Sequence, residues 1–427
     1  MQKLLWAALG LAVMLPANAE VGPCNAYGPN EHKSPVTAET PLSLNSVLSE
    51  IRLASPEVRA SGLEIQARSA DATQAGRRLN PALSVELEEF SGSGPLTGFD
   101  RAETTIAIEQ TVRLGGKRQR AQAAARALTA LASAECAVIL REVELQGTVL
   151  FFEYVAALED AELLEEAAET SEKLAETVRR RVAAGAAPPP EQSRADSATA
   201  SARADAVFAW GLVEQRRYAL AAIWGQSDPL FNTAIVEDSV VGALADPGNR
   251  SLHPQVRRAA ASAAASRAAA DVERAEAMPN VTFTAGMRRF EETGDSAIVA
   301  GVSVPLPLFD RNRDSARAAD LRTQASQMNR AAVEARLLAE QRAAIAAVTA
   351  ARQRLSLLED TALPNATAAF EASMHGYAVG KFDLTTTIDA RSALIDTQRA
   401  VLDAKTTLRI ETARLKSLIG DTPFSGE

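Results

Sequence analysis

The chain has 427 residues, 87 of them alanine, with a formal net charge of −9 and aromatic residues at only 4%. Apolar residues make up 47% and recur at helical spacing, which excludes a collagen-like or disordered chain. The acidic balance argues against a nucleic-acid groove, which needs concentrated Lys and Arg. Two cysteines, Cys24 and Cys136, are too few for a disulfide framework or a four-thiolate zinc site.

Residues 1–19 read as an export signal: Lys3 gives the positive end, Leu4 to Leu15 the apolar stretch, and Ala17-Asn18-Ala19 the small-residue cleavage site. Residues 20–41 read as an extended N-terminal segment. Within it Cys24 follows Val21-Gly22-Pro23, and a proline directly before the cysteine fits a lipidation signal poorly, so a free thiol is expected. Beyond Ala19 no apolar run approaches the ~18 residues of a membrane helix. Any insertion into a bilayer must then use strands.

The rest of the chain is one unit written twice. Ser55-Pro56-Glu57-Val58-Arg59 is answered by His253-Pro254-Gln255-Val256-Arg257, and Asn80-Pro81-Ala82-Leu83 by Met278-Pro279-Asn280-Val281, both at an offset of 198. Farther on the offset becomes 195: Ala183-Ala184-Gly185 matches Ala378-Val379-Gly380, and Ile223-Trp224-Gly225 matches Leu418-Ile419-Gly420. This gives a first repeat over 42–226, a linker at 227–250, a second repeat over 251–421 and a tail at 422–427.

Each repeat opens with a helix, expected over 42–78 and 252–277 and ending before Pro81 or Pro279. Two strand-like runs follow. Leu83, Val85 and Leu87 alternate with Ser84, Glu86 and Glu88, and Val281, Phe283, Ala285 and Met287 alternate with Thr282, Thr284, Gly286 and Arg288. The return strands are Thr104 to Thr111 and Ile298 to Pro305. Period-two alternation over about ten residues suits a membrane barrel with one face in lipid. A very long helix comes next, 117–183 and 313–379; Leu131, Val138, Leu145 and Phe152 fall seven apart on the first, and Pro364 should bend or break the second. Each repeat closes with a helix, 190–224 and 383–419, so Gly185 and Gly380 mark the reversals. Because four strands cannot close a barrel, whose minimum is about eight, other chains must complete it, and three copies would supply twelve. The fold class is mainly α with a β-barrel part.

Several runs carry a family likeness: Asn80-Pro81, Leu114-Gly115-Gly116-Lys117-Arg118 at a strand-to-helix junction, and Val304-Pro305-Leu306-Pro307-Leu308-Phe309-Asp310-Arg311-Asn312. Over residues 42–421 the chain resembles the TolC-like outer-membrane efflux proteins of Gram-negative bacteria. The Leu-Gly-Gly-Lys-Arg and Pro-Leu-Phe-Asp-Arg-Asn runs look most like the branch paired with heavy-metal pumps of the resistance-nodulation-division class. The resemblance implies a homotrimer in outer-membrane lipid, continued by a helical tunnel across the periplasm. It also implies a periplasmic membrane-fusion adaptor and an inner-membrane transporter as partners. By resemblance the tunnel mouth lies at Gly185 and Gly380, with adaptor docking around 178–194 and 374–390. Tyr377-Ala378-Val379-Gly380 matches the family's Tyr-x-x-Gly gate run, and Asp389 its deeper acidic position. The shallower acidic position is Thr386 and the family's arginine is Phe382, which removes a fully charged double ring and its salt-bridge latch; Asp383 is a candidate to replace part of the charge.

Other residues have more than one reading. Asp389 could instead be a solvated carboxylate on the outer tube wall, pairing with Arg391 or another neighbour. Glu86 and Glu88 are expected in the barrel lumen, since charge on the lipid face is costly. Gly115, Gly116, Lys117 and Arg118, with Arg120, mark the strand-to-helix interface, the alternative being a phosphate or headgroup site. Trp210 and Trp224 are read as helix packing. His32, His253 and His375 are scattered, so no metal site or cofactor is expected; His375 beside Met374 is the nearest to a candidate. Phosphate-loop, His-Glu-x-x-His and Cys-x-x-Cys motifs are missing, which argues for a non-enzyme. The reading is a passive outer-membrane duct for divalent metal export. Its rivals are a duct for drug efflux or protein secretion, and a periplasmic coiled-coil scaffold without a channel.

Overall fold

The computed structural model describes Cys24, residues 41–236 and residues 253–419. The expected signal at 1–19, the tail at 422–427, His32, most of the 20–41 segment and most of the linker lie outside the described residues. The first repeat runs α1 (Leu44–Ala54), α2 (Pro56–Ala75), β1 (Ala82–Glu88), β2 (Glu103–Val112), α3 (Lys117–Ala183) and α4 (Pro189–Ala222). The second runs α5 (Pro254–Glu276), β3 (Val281–Phe290), β4 (Ser296–Ser303), α6 (Arg313–Leu357), α7 (Leu363–Ala378) and α8 (Leu384–Ile419).

The single helix expected over 42–78 is two helices. Pro56 lacks an N–H and pushes Ser55 to extended backbone (ψ 122), so α1 stops and α2 starts with proline in its first turn. Pro364 acts differently. It stands in the first turn of α7, and a π-turn, Leu358–Ala362, widens the helix just before it. The wider turn accommodates a residue that offers no N–H and whose ring crowds the carbonyl four residues back. The corresponding stretch of α3 has no proline and stays helical for 67 residues, about 100 Å at 1.5 Å per residue.

The four strands form one antiparallel sheet in the order β1-β2-β3-β4, with β1 and β4 as open edges. Register sorts the side chains into two faces. Leu83 and Val85 lie opposite Ile108 and Ile106, Ile106 opposite Met287, and Met287 opposite Ile298. These apolar residues are all exposed, Ile298 at 86%. The other face carries Glu86 opposite Thr105, Glu88 opposite Glu103, and Thr105 opposite Arg288. A sheet whose apolar face is the bare one is inverted relative to a soluble protein.

α3 is the spine, packing against α1, α2, α4, α5 and α8. Its middle supplies Phe151, Phe152 and Tyr154, all fully buried; Tyr154 meets Phe231 edge-on at 5.4 Å, beside Trp224. Trp224 is therefore packing, as expected, but Trp210 is 41% exposed and is not. One 18-residue stretch of α3 is apolar enough to match a membrane span, contrary to the expectation from runs of apolar residues. Alanine and aliphatics raise its hydropathy without an unbroken apolar run, and neighbouring helices take part of its surface. α8 is held to α3 by Arg399, which donates to both oxygens of Asp160 at 2.8 and 2.9 Å.

The free-thiol expectation for Cys24 is overturned. Cys24 and Cys136 form a disulfide across a sequence separation of 112, tying the segment before α1 to α3 beside Ile65 and Ala132. Such a bond persists in oxidising compartments, where the export signal expected at 1–19 would send the chain.

Candidate functional site

Three levels of the molecule carry the candidate residues: the helical tip, the junction of helices and strands, and the polar face of the sheet. At the tip, α3 and α7 are each followed two residues on by a glycine with positive φ, Gly185 at 68° and Gly380 at 79°. This conformation suits glycine, and it lets the glycine's own N–H and the next one cap the helix. Gly185 and Ala186 donate to Val182 and Arg181 at 3.0 and 2.9 Å, and Gly380 and Lys381 to Tyr377 and Gly376 at 3.0 and 2.8 Å. The two turns lie side by side, joined by residues that the sequence did not single out. Arg181 donates to the Tyr377 carbonyl and to that of Ala186, and its guanidinium sits 4.6 Å above the Tyr377 ring. The Tyr377 hydroxyl donates to Glu191 at 3.0 Å, and Arg194 donates to Thr385 at 2.9 Å.

Tyr377 is only 2% exposed, packed with Leu174, Val178 and Leu384. It ties the tip together and does not line an opening of this chain. Burial, with Glu191 accepting its proton, pushes the phenol up to about 12. Phe382, which stands at the position matched to the family's arginine, lays its ring over Gly376, whose missing Cβ leaves the room. Asp383 caps α8, its carboxylate accepting from the Thr386 N–H at 2.7 Å, and that bond lowers its pKa. Asp389 is exposed on α8. Its suggested partner Arg391 is buried and donates to the Ala167 carbonyl at 2.7 Å, so the Asp389–Arg391 pair does not form. Met374 packs into the tip while its neighbour His375 is exposed, and no cluster of three or more metal-ligating side chains occurs among the described residues.

At the junction Gly115 and Gly116 take φ of 66° and 69°, turning the chain from β2 into α3. Lys117 is buried and pairs with Glu276 of α5 at 2.8 Å; Arg118 donates to the Gly76 carbonyl at the end of α2 at 2.9 Å. Both are internal ties, which supports the interface reading over a headgroup site for these two. In the second repeat Asn312 (φ 54°) occupies the place of Gly116 and donates its amide to the Glu273 carbonyl at 2.7 Å. On the polar face of the sheet Glu86 is exposed, whereas Glu88 shares Arg288 with Glu103, each at 2.8 Å. One arginine thus holds two directly opposed glutamates that would otherwise repel.

The missed tip residues had a faint signal: Arg179-Arg180-Arg181 stands just before the Gly185 turn, and of the three only Arg181 touches the second repeat's turn.

A sheet with an apolar outer face and open edges, mounted on long helical hairpins, defines the class of outer-membrane channel proteins. The sequence matches the family described as "Outer membrane efflux protein" over residues 47–226 and 250–421, and the chain belongs to that family. It is 30% identical over 402 residues to the cobalt-zinc-cadmium resistance protein CzcC of Cupriavidus metallidurans, covering 91% of this chain and 93% of that one. It is 31% identical over 304 residues to the nickel and cobalt resistance protein CnrC of the same organism, covering 68% and 69%. Among solved structures, CusC, which forms a transmembrane channel, superposes with a TM-score of 0.76 at 17% identity, covering 92% of this chain and 95% of that one.

Proposed function

We propose that this chain is the outer-membrane duct of a heavy-metal efflux system, passing divalent cobalt, zinc, cadmium or nickel out of a Gram-negative cell. The observation that carries this reading is the inverted sheet: its apolar face is bare and both edges are open, so it needs lipid on one side and further copies of itself at its edges. Three copies give a closed barrel continued by a helical tunnel, with Glu86 and the Glu88–Arg288–Glu103 clamp in its lumen. The duct is passive. Energy comes from an inner-membrane transporter, reached through an adaptor that docks on the tip around 178–194 and 374–390. The metal assignment draws on the relatives named for cobalt, zinc, cadmium and nickel resistance. The Tyr377 and Arg181 ties hold the mouth shut, and Asp389 of each copy contributes to a cation-attracting ring there.

Deleting the gene should sensitise cells to these four cations, and complementation should restore resistance. Increased toxicity of dyes or antibiotics alone would favour the drug-efflux duct, and a water-soluble monomer would favour the scaffold. In planar bilayers Asp389→Asn should reduce cation selectivity and block by multivalent cations, with Asp396→Asn as the control seven residues along α8. Wild-type selectivity in Asp389→Asn would put this carboxylate on the outer wall.

A further inference from the structure

The apolar outer face of the sheet continues past its last strand. Along β4 it presents Ile298, Ala300 and Val302, and apolar residues follow it in Val304 and Leu306 before the chain turns at Pro307, where the Leu308 N–H donates to the Leu306 carbonyl at 2.8 Å. Leu306 is 74% exposed, Leu308 65%, and Phe309 100%. Pro305 and Pro307 have no N–H to donate and hold the residues before them extended, so this stretch is a ribbon with no ladder partner beyond Ser303 among the described residues. Large apolar side chains in this state need a non-aqueous neighbour.

The ribbon leaves the end of the sheet at which β1 begins, β2 ends and β3 begins, and that end is strongly basic. Arg77 and Arg78 follow α2, Arg113 follows β2, Arg120 lies in the first turn of α3, and Arg311 and Arg313 lead into α6. All six are exposed and none forms an ion pair among the described residues. Arg311 donates to the Pro307 carbonyl at 3.2 Å, which fixes its side chain against the ribbon. Of the acids at this level, Glu276 is engaged by Lys117, Glu273 by Asn312, and Asp310 by the Asn312 N–H at 2.9 Å; Asp314 and, opposite Ala82 on the sheet's polar face, Glu109 form no ion pair among the described residues. In a chain of net charge −9 this local excess of cations is a distinct feature.

We propose that this collar is a binding surface for anionic glycerophospholipid. Val304, Leu306, Leu308 and Phe309 enter the acyl region at the periplasm-facing rim of the sheet, and the six arginines take the phosphodiester headgroups beneath them. The apolar ribbon continues the face already assigned to lipid, and guanidinium groups match phosphate in charge and in bidentate geometry. The proposal rests on the barrel reading above.

The test uses the full mature chain, purified in neutral detergent and offered phosphatidylglycerol or phosphatidylcholine, with retained lipid counted by native mass spectrometry. Wild type should retain phosphatidylglycerol over phosphatidylcholine by about fivefold or more, and rising salt should erode that preference. Replacing Arg77, Arg78, Arg113 and Arg311 together by Gln should bring the ratio close to one while the oligomer mass is unchanged. Leu306→Ser with Phe309→Ser should reduce retention of both lipids and leave their ratio. The proposal is overturned if the Gln variant keeps the wild-type ratio. It is equally overturned if inorganic phosphate displaces phosphatidylglycerol at equal concentration, which would make this a small-anion site. Loss of the oligomer with an unaltered ratio would also sink it, assigning the arginines to a neighbouring copy. If wild type retains neither lipid and stays in solution without detergent, the barrel reading itself fails.

Discussion

In the first repeat the long helix runs unbroken from Lys117 to Ala183, whereas the second takes the same path in three pieces, α6, the π-turn and α7. The first is also pinned, by the Cys24–Cys136 disulfide and by the aromatic core of Phe151, Phe152, Tyr154 and Phe231. None of the π-turn residues Leu358–Ala362 is buried. Two copies of one pattern have therefore diverged into a continuous rail and a jointed one. The joint lies in the repeat whose tip carries Tyr377, Phe382 and Asp389, so any bending of a hairpin toward the tip should start there.

Swapping the prolines tests this contrast most severely. Glu169 is exposed on α3 at the place that corresponds to Pro364, so Glu169→Pro changes backbone far more than packing. It should cost about 3 kcal/mol or more of folding stability. Pro364→Ala should be tolerated or slightly stabilising, read by thermal unfolding. If Glu169→Pro is as harmless as the native Pro364, the two rails do not differ in stiffness. Cys136→Ser is next in size: closing a loop of 112 residues should be worth about 2–4 kcal/mol, and reductant should lower the melting temperature of wild type but not of the variant.

How far the sequence foretold this contrast depends on whether the signal was local. The bounds of α3 were legible to the residue because Gly116 and Gly185 bracket it, and the sheet was legible through its period of two. Pro364 announced the joint. Pro56 carried the same kind of signal, yet the periodic apolar residues on both sides of it read as one helix. Non-local pairs left almost no trace, the run Arg179-Arg180-Arg181 before the Gly185 turn being the faint exception. Cys24 and Cys136 are 112 residues apart, and Arg181 and Glu191 meet Tyr377 across separations of 196 and 186. Only the folded arrangement brings those residues together.

The tip joins the two rails, and Tyr377→Phe removes one tie between them. Losing the hydroxyl bond to Glu191 should destabilise by about 1 kcal/mol, since that bond is partly exposed. In bilayers the variant should open more often. The tie also has a pH signature. The phenol is raised from 10.0 to about 12, so its contribution is complete below pH 10 and is lost as pH rises from there toward 12. Alkaline unfolding should begin at lower pH in wild type than in Tyr377→Phe, once both are normalised to their neutral stability. Identical alkaline limbs would mean that Tyr377 titrates like an exposed phenol.

The smallest expected effect separates the repeats at their first helices. Ser55 precedes Pro56 in the first repeat, where His253 precedes Pro254 in the second. Ser55 is buried and its hydroxyl makes no hydrogen bond. His253 is buried too, but Nδ1 accepts from the Gln255 N–H at 3.3 Å while Nε2 lies 3.3 Å from the Ser417 carbonyl. That pattern requires a neutral ring with its proton on Nε2, because a second proton on Nδ1 would face the Gln255 N–H. Around the ring stand Arg141 of α3, Glu340 of α6, and Glu411 and Arg414 of α8. Burial, offset in part by the Ser417 carbonyl, lowers the pKa from 6.5. The unfolded chain therefore takes up the proton first as pH falls. The stability contributed by the neutral ring is complete above pH 6.5 and is lost progressively below it, through the lowered folded value. His253→Ser copies the first repeat's residue and removes the titration. Between about pH 7.5 and 5.5, wild type should lose melting temperature faster than His253→Ser, although the variant starts lower for want of the cap. Parallel slopes would show that protonation of His253 is no costlier in the folded chain than in the unfolded one, and that the two repeats respond to acid alike at this helix start.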